Sequence, residues 1–201
     1  MQQTSFIFDL DGTIWDSRSW FIKAIRYLAD DPLSDVTEGL LCETNYLKLA
    51  KSFGITNQHL VSGANRCEVG TVSLYDNVKP TLEELRARKL GLGVVSNLPG
   101  KLALVHLRAT EILEYFKEDL IITPRRGIRS KPHPNGVLEL LRRMEHNNST
   151  ARCWFVGDSS VDAIAANSAG VKFIWAAYGY EKQAPPKTHQ VISEFKELLE
   201  L

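Results

Sequence analysis

Five short apolar runs recur along the 201-residue chain and predict the strands of one buried sheet. The runs are SFIFD (5–9), GLGVVS (91–96), DLIIT (119–123), RCWFVG (152–157) and VKFIWA (171–176). Nearly continuous runs of Val, Ile and Phe are typical of strands that are buried on both faces. This pattern favours a parallel sheet over an antiparallel sheet with one wet face.

Segments with helical spacing lie between most of these runs. They are PTLEELRARKLG (80–91), HPNGVLELLRRM (133–144) and SVDAIAANSAG (160–170). Thr81 and Glu84 have the spacing of a capping box, and Gly170 favours the end of the third helix. The second segment places five apolar residues on one face: Val137, Leu138, Leu140, Leu141 and Met144. Alternating strands and helices predict an α/β fold with a Rossmann-like parallel sheet core flanked by helices.

Residues 16–78 interrupt this alternation. SWFIKAIRYLAD (19–30) and TNYLKLAKSFG (44–54) both have helical spacing, and the sequence predicts no strand here. We therefore expect a Rossmann-like core formed by residues 1–15 and 79–201. Residues 16–78 would form a small all-helical cap, inserted after the first strand and too small to be stable without the core.

Polar side chains follow the ends of the predicted strands, in four separate parts of the chain. They are Asp9 and Asp11, Ser96 and Asn97, Lys131, and Asp158 with Asp162. Ligands of open parallel sheets bind outside the carboxyl ends of the strands, so we expect these side chains to meet at one edge.

Several carboxylates at one edge repel one another, and a hard divalent cation such as Mg²⁺ relieves that repulsion. A carboxylate can also attack phosphorus, and a second one can act as general acid and base. Lys131 and the backbone N–H groups near Gly12 and Asn97 would balance the phosphate charge. This combination of carboxylates, a lysine and backbone N–H groups is typical of sites that transfer or hydrolyse phosphoryl groups.

Four motifs resemble those of the haloacid dehalogenase superfamily, in the order and spacing of that family. They are DLDGT (9–13), VVSN (94–97), SKPHP (130–134) and VGDSSVDAIAANSAG (156–170). The segment between the first and second motifs resembles the helical cap of the family. Because the dehalogenase branch lacks the second acid of the first motif, Asp11 favours the phosphatase branch.

The resemblance implies a role for each motif residue of this chain. Asp9 would be the nucleophile and Asp11 the general acid and base. Asp9, the main-chain oxygen of Asp11, and Asp158 would hold Mg²⁺. The phosphoryl group would be bound by Gly12, Ser96, Asn97 and Lys131. Asp162 would support Lys131 or a metal-bound water. Trp15 replaces a smaller aliphatic residue and would either shape the leaving-group site or fill a hinge.

The expected function is Mg²⁺-dependent hydrolysis of a small phosphorylated metabolite through an aspartyl-phosphate on Asp9. A phosphomutase of the same superfamily and a non-catalytic phospholigand-binding protein are the alternatives. Structural readings also exist: a strand-end turn for Asp9 and Asp11, a helix N-cap for Ser96, a turn support for Asn97, a surface lysine for Lys131, and a first-turn helix acid for Asp162.

The amino-acid composition limits the kinds of binding partner that we expect. The chain carries 24 basic and 24 acidic residues and has no net formal charge, so neither nucleic acid nor an anionic membrane is expected as partner. No signal peptide or membrane span is visible in the sequence. The three cysteines of the chain form no CxxC pair. We expect a cytoplasmic monomer or homodimer whose partner is a small phosphorylated molecule.

Overall fold

A computed structural model describes residues 4–28, 46–64, 72–145 and 150–201. Within these residues the strands are β1 (Ser5–Phe8), β2 (Trp15–Asp16), β3 (Ser73–Leu74), β4 (Gly91–Val95), β5 (Ile121–Ile122), β6 (Cys153–Gly157), β7 (Lys172–Ala176) and β8 (Gln190–Ile192). The α-helices are α1 (Arg18–Leu28), α2 (Tyr46–Ser52), α3 (Asn57–Ala64), α4 (Val78–Ala87), α5 (Gly100–Ala109), α6 (Asn135–Arg143) and α7 (Ser160–Ser168). Short 3₁₀ helices are Leu113–Tyr115, Glu118–Leu120 and Phe195–Glu200.

Six strands form one sheet in the order β5-β4-β1-β6-β7-β8, and every pair is parallel. This confirms the predicted α/β fold. β1 lies at the centre, where Phe8 is level with Val94 on one neighbour and with Val156 on the other. The residues that follow these three positions therefore leave the sheet at the same edge, which places the loops after β1, β4 and β6 side by side.

The central strand is buried on both faces, as its continuous apolar sequence predicts. Phe6 and Phe8 point into one hydrophobic cluster with helix α4 and Phe195, while Ile7 points into a second cluster with helices α6 and α7. Each of these three β1 side chains is at most 1% exposed. Burying a side chain of this size contributes about 2 kcal/mol, so β1 is firmly held as the base for the loop that follows it.

The inserted segment packs on the core and shares its hydrophobic cluster. Trp20, Phe21 and Ile25 of α1 and Leu60 of α3 belong to the cluster that contains Phe8. The helical spacing predicted for α1 is confirmed, and its Trp20 and Phe21 are packing residues. Part of the second predicted cap helix, residues 44 and 45, lies outside the described residues.

Two local details differ from the sequence prediction. The capping box of Thr81 and Glu84 is wrong, because α4 begins at Val78 and Thr81 is already inside it, where its N–H donates to the Asn77 carbonyl. Glu84 instead pairs with Arg88 across one helical turn. Leu138 does not face the core; it is 48% exposed, since it lies on the outer side of α6.

Two strand pairings are also absent from the sequence prediction. β8 adds a sixth strand beside β7, although its Val191 is exposed. β2 and β3 form a two-residue antiparallel ribbon where the chain enters and leaves the insert, which contradicts the expectation that 16–78 contains no strand. Such short strands carry too few residues for a periodic signal. Among the described helices, none combines the length and the apolar character that a membrane crossing demands.

A buried histidine lies where the insert meets the core. His106 of α5 is 1% exposed and packs edge-on against Trp15 and Trp20, with ring centroids 5.8 and 4.5 Å away. Neither ring nitrogen has a hydrogen-bond partner among the described residues. Burial lowers the pKa of His106 from its usual 6.5 to about 4, so the ring is neutral in the folded protein near neutral pH.

This histidine predicts an acid-sensitive fold. Between pH 6.5 and about 4 the unfolded chain binds a proton at His106 and the folded protein does not, so acidification favours unfolding in that window. At the acid end of this window, protonation of His106 in the unfolded chain lowers the free energy of unfolding by an amount on the order of 3 kcal/mol, and we expect His106→Leu to remove this loss. Urea unfolding of wild type and variant at pH 7.5, 5.5 and 4.5 measures it. A stability difference that stays constant over these pH values would contradict the prediction.

Candidate active site

A buried lysine joins two carboxylates at the carboxyl edge of the sheet. The ammonium nitrogen of Lys131 lies 2.6 Å from an oxygen of Asp9 and 2.6 Å from an oxygen of Asp162. The Lys131 side chain is 3% exposed and that of Asp9 11%. Lys131 follows β5 and Asp162 lies in α7, so three distant parts of the chain meet at this point. The reading of Lys131 as a surface lysine is thereby wrong.

Asp162 is held in place by the start of its own helix. Its second oxygen accepts hydrogen bonds from the Ser159 hydroxyl (2.6 Å) and the Ser159 N–H (3.2 Å), and the Ser159 hydroxyl in turn accepts from the Asp162 N–H. This is a capping box in which the acid is fully buried. Both oxygens of Asp162 are thus engaged, one by Lys131 and one by Ser159, which supports the expected role of holding Lys131.

Asp158 lies between two glycines and the loop after β7. Its Oδ2 accepts a 2.7 Å hydrogen bond from the Tyr180 N–H, which leaves Oδ1 for another ligand. A side chain at Gly12 or at Gly179 would collide with Asp158. Gly12 also has φ +81°, which only glycine adopts freely. The glycine of the first motif therefore makes room for the acid of the fourth.

Three carboxylates form a group that suits a divalent cation. One oxygen each of Asp9, Asp158 and Asp162 lies within 4.8 Å of the others. Among the described residues Lys131 is the one cation paired with this group, so three ionised carboxylates would leave two uncompensated negative charges in a buried site. Oxygen-only ligands and this charge fit a hard divalent cation such as Mg²⁺. Asp162 already binds Lys131 and Ser159, so Asp9 and Asp158 are the acids best placed to hold the ion.

The charges of the site follow from this crowding. Burial raises the pKa of Asp9 to about 7, repulsion from Asp162 adds to the rise, and Lys131 opposes it. Burial and repulsion from Asp162 and Asp9 raise the pKa of Asp158 well above its usual range. Burial alone would lower the pKa of Lys131, but attraction to Asp162 and Asp9 outweighs it and raises the value. Lys131 is therefore a permanent cation, and the carboxylates compete for a positive partner.

Ser96 and Asn97, which follow β4, shape the other side of the site. The Ser96 hydroxyl is buried and accepts a 3.1 Å hydrogen bond from the Leu98 N–H, so its proton can be donated to a ligand. The Asn97 side chain binds the backbone of Lys131 twice, accepting from its N–H at 2.7 Å and donating to its carbonyl at 3.0 Å. The Asn97 amide thus places the lysine, a role that the sequence does not reveal.

Asp11 is bound by Trp15, four residues further along the chain. The indole N–H of Trp15 donates a 2.8 Å hydrogen bond to Oδ1 of Asp11. Trp15 is fully buried and lies on the β2 side of the ribbon at the entry to the insert. Burial raises the pKa of Asp11, and hydrogen bonds from the Ser17 and Trp15 side chains oppose the rise. Trp15 therefore packs at the entry to the insert and also orients Asp11; its roles in a hinge and in the leaving-group site stay predictions.

Tyr180 is a further site residue that sequence motifs do not identify. Its N–H binds Asp158, while its hydroxyl accepts from the Ser17 N–H at 2.9 Å and lies 3.3 Å from Asp16 Oδ1. Tyr180 therefore connects the loop after β7 to the entry of the insert. Tyr180 follows the carboxyl end of β7, the strand next to β6. This position is the one sequence signal that could have identified Tyr180 as a site residue.

The structure brings Asp9, Lys131, Asp158 and Asp162 into direct or near contact, with Ser96 and Asn97 beside them. The Gly12 N–H is less available to a phosphoryl group than expected, because it already donates a 2.8 Å hydrogen bond to the Trp15 carbonyl. The N–H groups of Leu10, Asp11 and Asn97 make no hydrogen bond within the described residues. These three donors lie in the loops next to Asp9 and Ser96, and Leu10 is not predicted as a site residue.

Comparisons with known proteins agree with this geometry. Residues 6–176 match the family model of haloacid dehalogenase-like hydrolases. The phosphoglycolate phosphatase of Yersinia pseudotuberculosis serotype I (strain IP32953) is 30% identical over an alignment of 216 residues, which covers 96% of this chain and 90% of that protein. The phosphoglycolate phosphatase of Escherichia coli (strain K12) is 36% identical over 113 residues, covering 56% of this chain and 43% of that protein.

Solved structures show the same relationship. A crystal structure of a predicted phosphoglycolate phosphatase from Haemophilus somnus 129PT aligns with a TM-score of 0.80 and 25% identity, over 100% of this chain and 98% of that chain. The chain belongs to the haloacid dehalogenase-like hydrolases. The predictions of this family, of an enzyme and of a hydrolase are confirmed.

Proposed function

We propose that the protein is a Mg²⁺-dependent phosphatase that hydrolyses a small phosphate monoester through an aspartyl-phosphate on Asp9. The observation that carries the proposal is the buried contact of Asp9 with Lys131, inside a three-carboxylate group at the carboxyl edge of the sheet. Two relatives of this chain are named phosphoglycolate phosphatases, which supports a phosphorylated short-chain acid as the substrate.

The first half-reaction transfers the phosphoryl group to the enzyme. A carboxylate oxygen of Asp9 attacks phosphorus, the Asp9 oxygen–phosphorus bond forms, and the bond from phosphorus to the ester oxygen breaks. Asp11 gives its proton to the departing oxygen. The Trp15 indole binds Oδ1 of Asp11 and so fixes the orientation of the carboxyl group that transfers the proton.

The second half-reaction releases phosphate. Asp11, now a carboxylate, accepts a proton from a water molecule whose oxygen attacks phosphorus, and the bond to Asp9 breaks. Lys131, the Ser96 hydroxyl and the N–H groups of Leu10 and Asn97 provide positive partners for the phosphoryl oxygens. A bound Mg²⁺ would supply further charge neutralisation and a fixed phosphoryl orientation.

Residues 16–78 act in this proposal as the cap. The expected cytoplasmic location and the monomeric or homodimeric state stay predictions. A phosphomutase would use the same core residues, and the products distinguish the two. Purified protein with Mg²⁺ should release inorganic phosphate from a panel of phosphate monoesters, whereas positional isomers without free phosphate would favour the mutase.

Asp158→Asn tests the metal site. Loss of one anionic oxygen ligand should raise the Mg²⁺ concentration for half-maximal activity by about tenfold or more, because Mg²⁺ strongly prefers charged oxygen ligands. A Mg²⁺ titration of phosphate release measures this. Asp119→Asn, an exposed acid in the 3₁₀ turn before β5, is the matched control. Identical titration curves for wild type and Asp158→Asn would remove Asp158 from the metal site.

Trp15→Phe tests the orientation of Asp11. The phenyl ring keeps most of the buried surface but cannot donate to Asp11, so kcat for an alkyl phosphate should fall about tenfold. An aryl phosphate, whose leaving group needs less protonation, should be much less affected. Trp20→Phe is the control, since Trp20 is equally buried and packs on the same His106. Equal losses for both esters in Trp15→Phe would show that only packing was disturbed.

A further inference from the structure

A cleft of about 720 Å³ lies between cap helix α3 and the loops after β4 and β5. From the cap it is lined by Asn57, Gln58 and Ser62, and from the core by Asn97, Lys101 and Ser130. The volume is sufficient for a small metabolite.

The inner end of this cleft adjoins the reacting groups. Asn97 follows Ser96 directly, Ser130 precedes Lys131, and the Asn97 side chain is bonded to the Lys131 backbone. An ester with its phosphoryl group at Asp9 and Lys131 therefore has this cleft beside it for the rest of the molecule. The groups lining the cleft are the ones that can distinguish one leaving group from another.

The charge in the cleft has one sign. Lys101 is the one charged side chain among the ten described residues that line it, and no lining residue is acidic. Lys101 is exposed and forms no ion pair within the described part of the chain. It lies in the first turn of α5, which begins at Gly100, so the helix dipole adds to the positive potential.

Lys101 differs from a cation such as Arg108, which is paired with Glu118, because the described lining of the cleft contains no acid that would neutralise it. An unpaired ammonium in a cleft attracts anions, and side-chain amides such as those of Asn57 and Gln58 can donate to the same group.

We propose that Lys101 binds a second anionic group on the leaving group of the substrate, so that the enzyme selects phosphate esters with an additional negative charge. The inference rests on the proposed phosphatase function and deepens it. Asn57 and Gln58 of α3 contribute amide hydrogen bonds, which makes recognition depend on the cap. A carboxylate and a second phosphate both have the required chemistry, and neutral or cationic leaving groups lack it.

The test compares esters that differ in charge alone. Phosphate release is measured at low ionic strength from 2-phosphoglycolate, from ethylene glycol bisphosphate, and from 2-hydroxyethyl phosphate, in which a neutral hydroxymethyl group replaces the carboxylate. Wild type is compared with Lys101→Gln, which removes the charge, and Lys101→Arg, which retains it. Arg126→Gln is the control, because Arg126 is exposed in the adjacent loop and does not line the cleft.

The ratio of kcat/KM for the anionic ester to that for the neutral ester is the readout. Wild type should prefer at least one anionic ester about tenfold or more, and Lys101→Gln should lose most of that preference. Lys101→Arg and Arg126→Gln should keep it. The better of the two anionic esters identifies the second group as carboxylate or phosphate.

Two results would overturn the proposal while leaving the phosphatase function intact. One is a wild-type ratio near one with good turnover of all three esters, and the other is an unchanged ratio in Lys101→Gln. If wild type released phosphate from no monoester, the proposed function would fail and this inference with it. Calorimetric binding of 2-phosphoglycolate to Asp9→Asn, with and without Lys101→Gln, checks recognition apart from chemistry; equal Kd values would contradict it.

Discussion

We expect Asp9→Asn to lower kcat/KM for every phosphate monoester by at least about a thousandfold, with no loss of thermal stability. An amide has the shape of the carboxylate but is not a nucleophile toward phosphorus. The fold should tolerate it because Lys131 keeps Asp162 as a partner and because Asp9 is a crowded acid with a raised pKa. Phosphate release and thermal unfolding are measured on the same samples.

The control for this change is Asp119→Asn. It removes one exposed carboxylate just before β5, at the edge of the sheet opposite to Asp9. It should keep wild-type kinetics. Turnover by Asp9→Asn within about tenfold of wild type would mean that another group attacks phosphorus. Activity loss accompanied by a large drop in melting temperature would indicate a structural role for Asp9 instead.

Lys131→Ala should have the second largest effect, because it removes the one ammonium that contacts both Asp9 and Asp162. We expect kcat to fall at least about a hundredfold, since the phosphoryl charge loses a partner in a site that excludes water. The folded protein should also lose about 3 kcal/mol at pH 8 without metal, because two buried carboxylates are left uncompensated.

The pH dependence of stability in Lys131→Ala distinguishes the charge effect on folding from the loss of catalysis. Lys131 opposes the rise in the pKa of Asp9, so its removal raises that pKa further above the unfolded value. The destabilisation is therefore full above the folded-state pKa of Asp9 and shrinks as acidification protonates this carboxylate. Chemical denaturation at pH 8 and pH 5.5 should show a smaller loss at the lower pH. Lys131→Arg should recover stability better than activity. A loss of stability that is the same at both pH values would contradict the charge argument.

Much of the candidate site's location is predictable from the sequence, because Asp9 and Asp158 each follow an apolar run that forms a central strand. β1, β4, β6 and β7 are long enough to show their burial as continuous apolar sequence. Once they are parallel neighbours, their following residues must share one edge. The meeting of Asp9 with Asp158 is therefore a consequence of topology.

The contacts that orient these residues are not predictable in the same way. The bonds from Trp15 to Asp11, from Asn97 to the Lys131 backbone and from Tyr180 to Asp158 depend on rotamers and loop paths. Hydrophobic periodicity contains no information on either. The two-residue strands β2 and β3 and the edge strand β8 are missed for a related reason, since each is stabilised by its neighbours more than by its own sequence.

The capping box of Thr81 and Glu84 shows how a local motif can mislead. The two residues have the correct spacing, but α4 begins earlier and both lie within it. At Asp162 the same type of motif, read from Ser159, is present and serves the site. The difference lies in tertiary contacts: Asp162 is fixed by a buried lysine, whereas Glu84 faces an exposed arginine on its own helix.

Trapping of the covalent intermediate tests the mechanism at its first bond. The enzyme is mixed with substrate and Mg²⁺, quenched in acid during turnover, reduced with borohydride, and digested with trypsin. An aspartyl-phosphate is reduced to homoserine, and the proposed mechanism places it at Asp9 in the peptide that ends at Arg18, with none in Asp9→Asn. Homoserine at Asp11 or Asp158, or at no residue while product is forming, would contradict nucleophilic attack by Asp9.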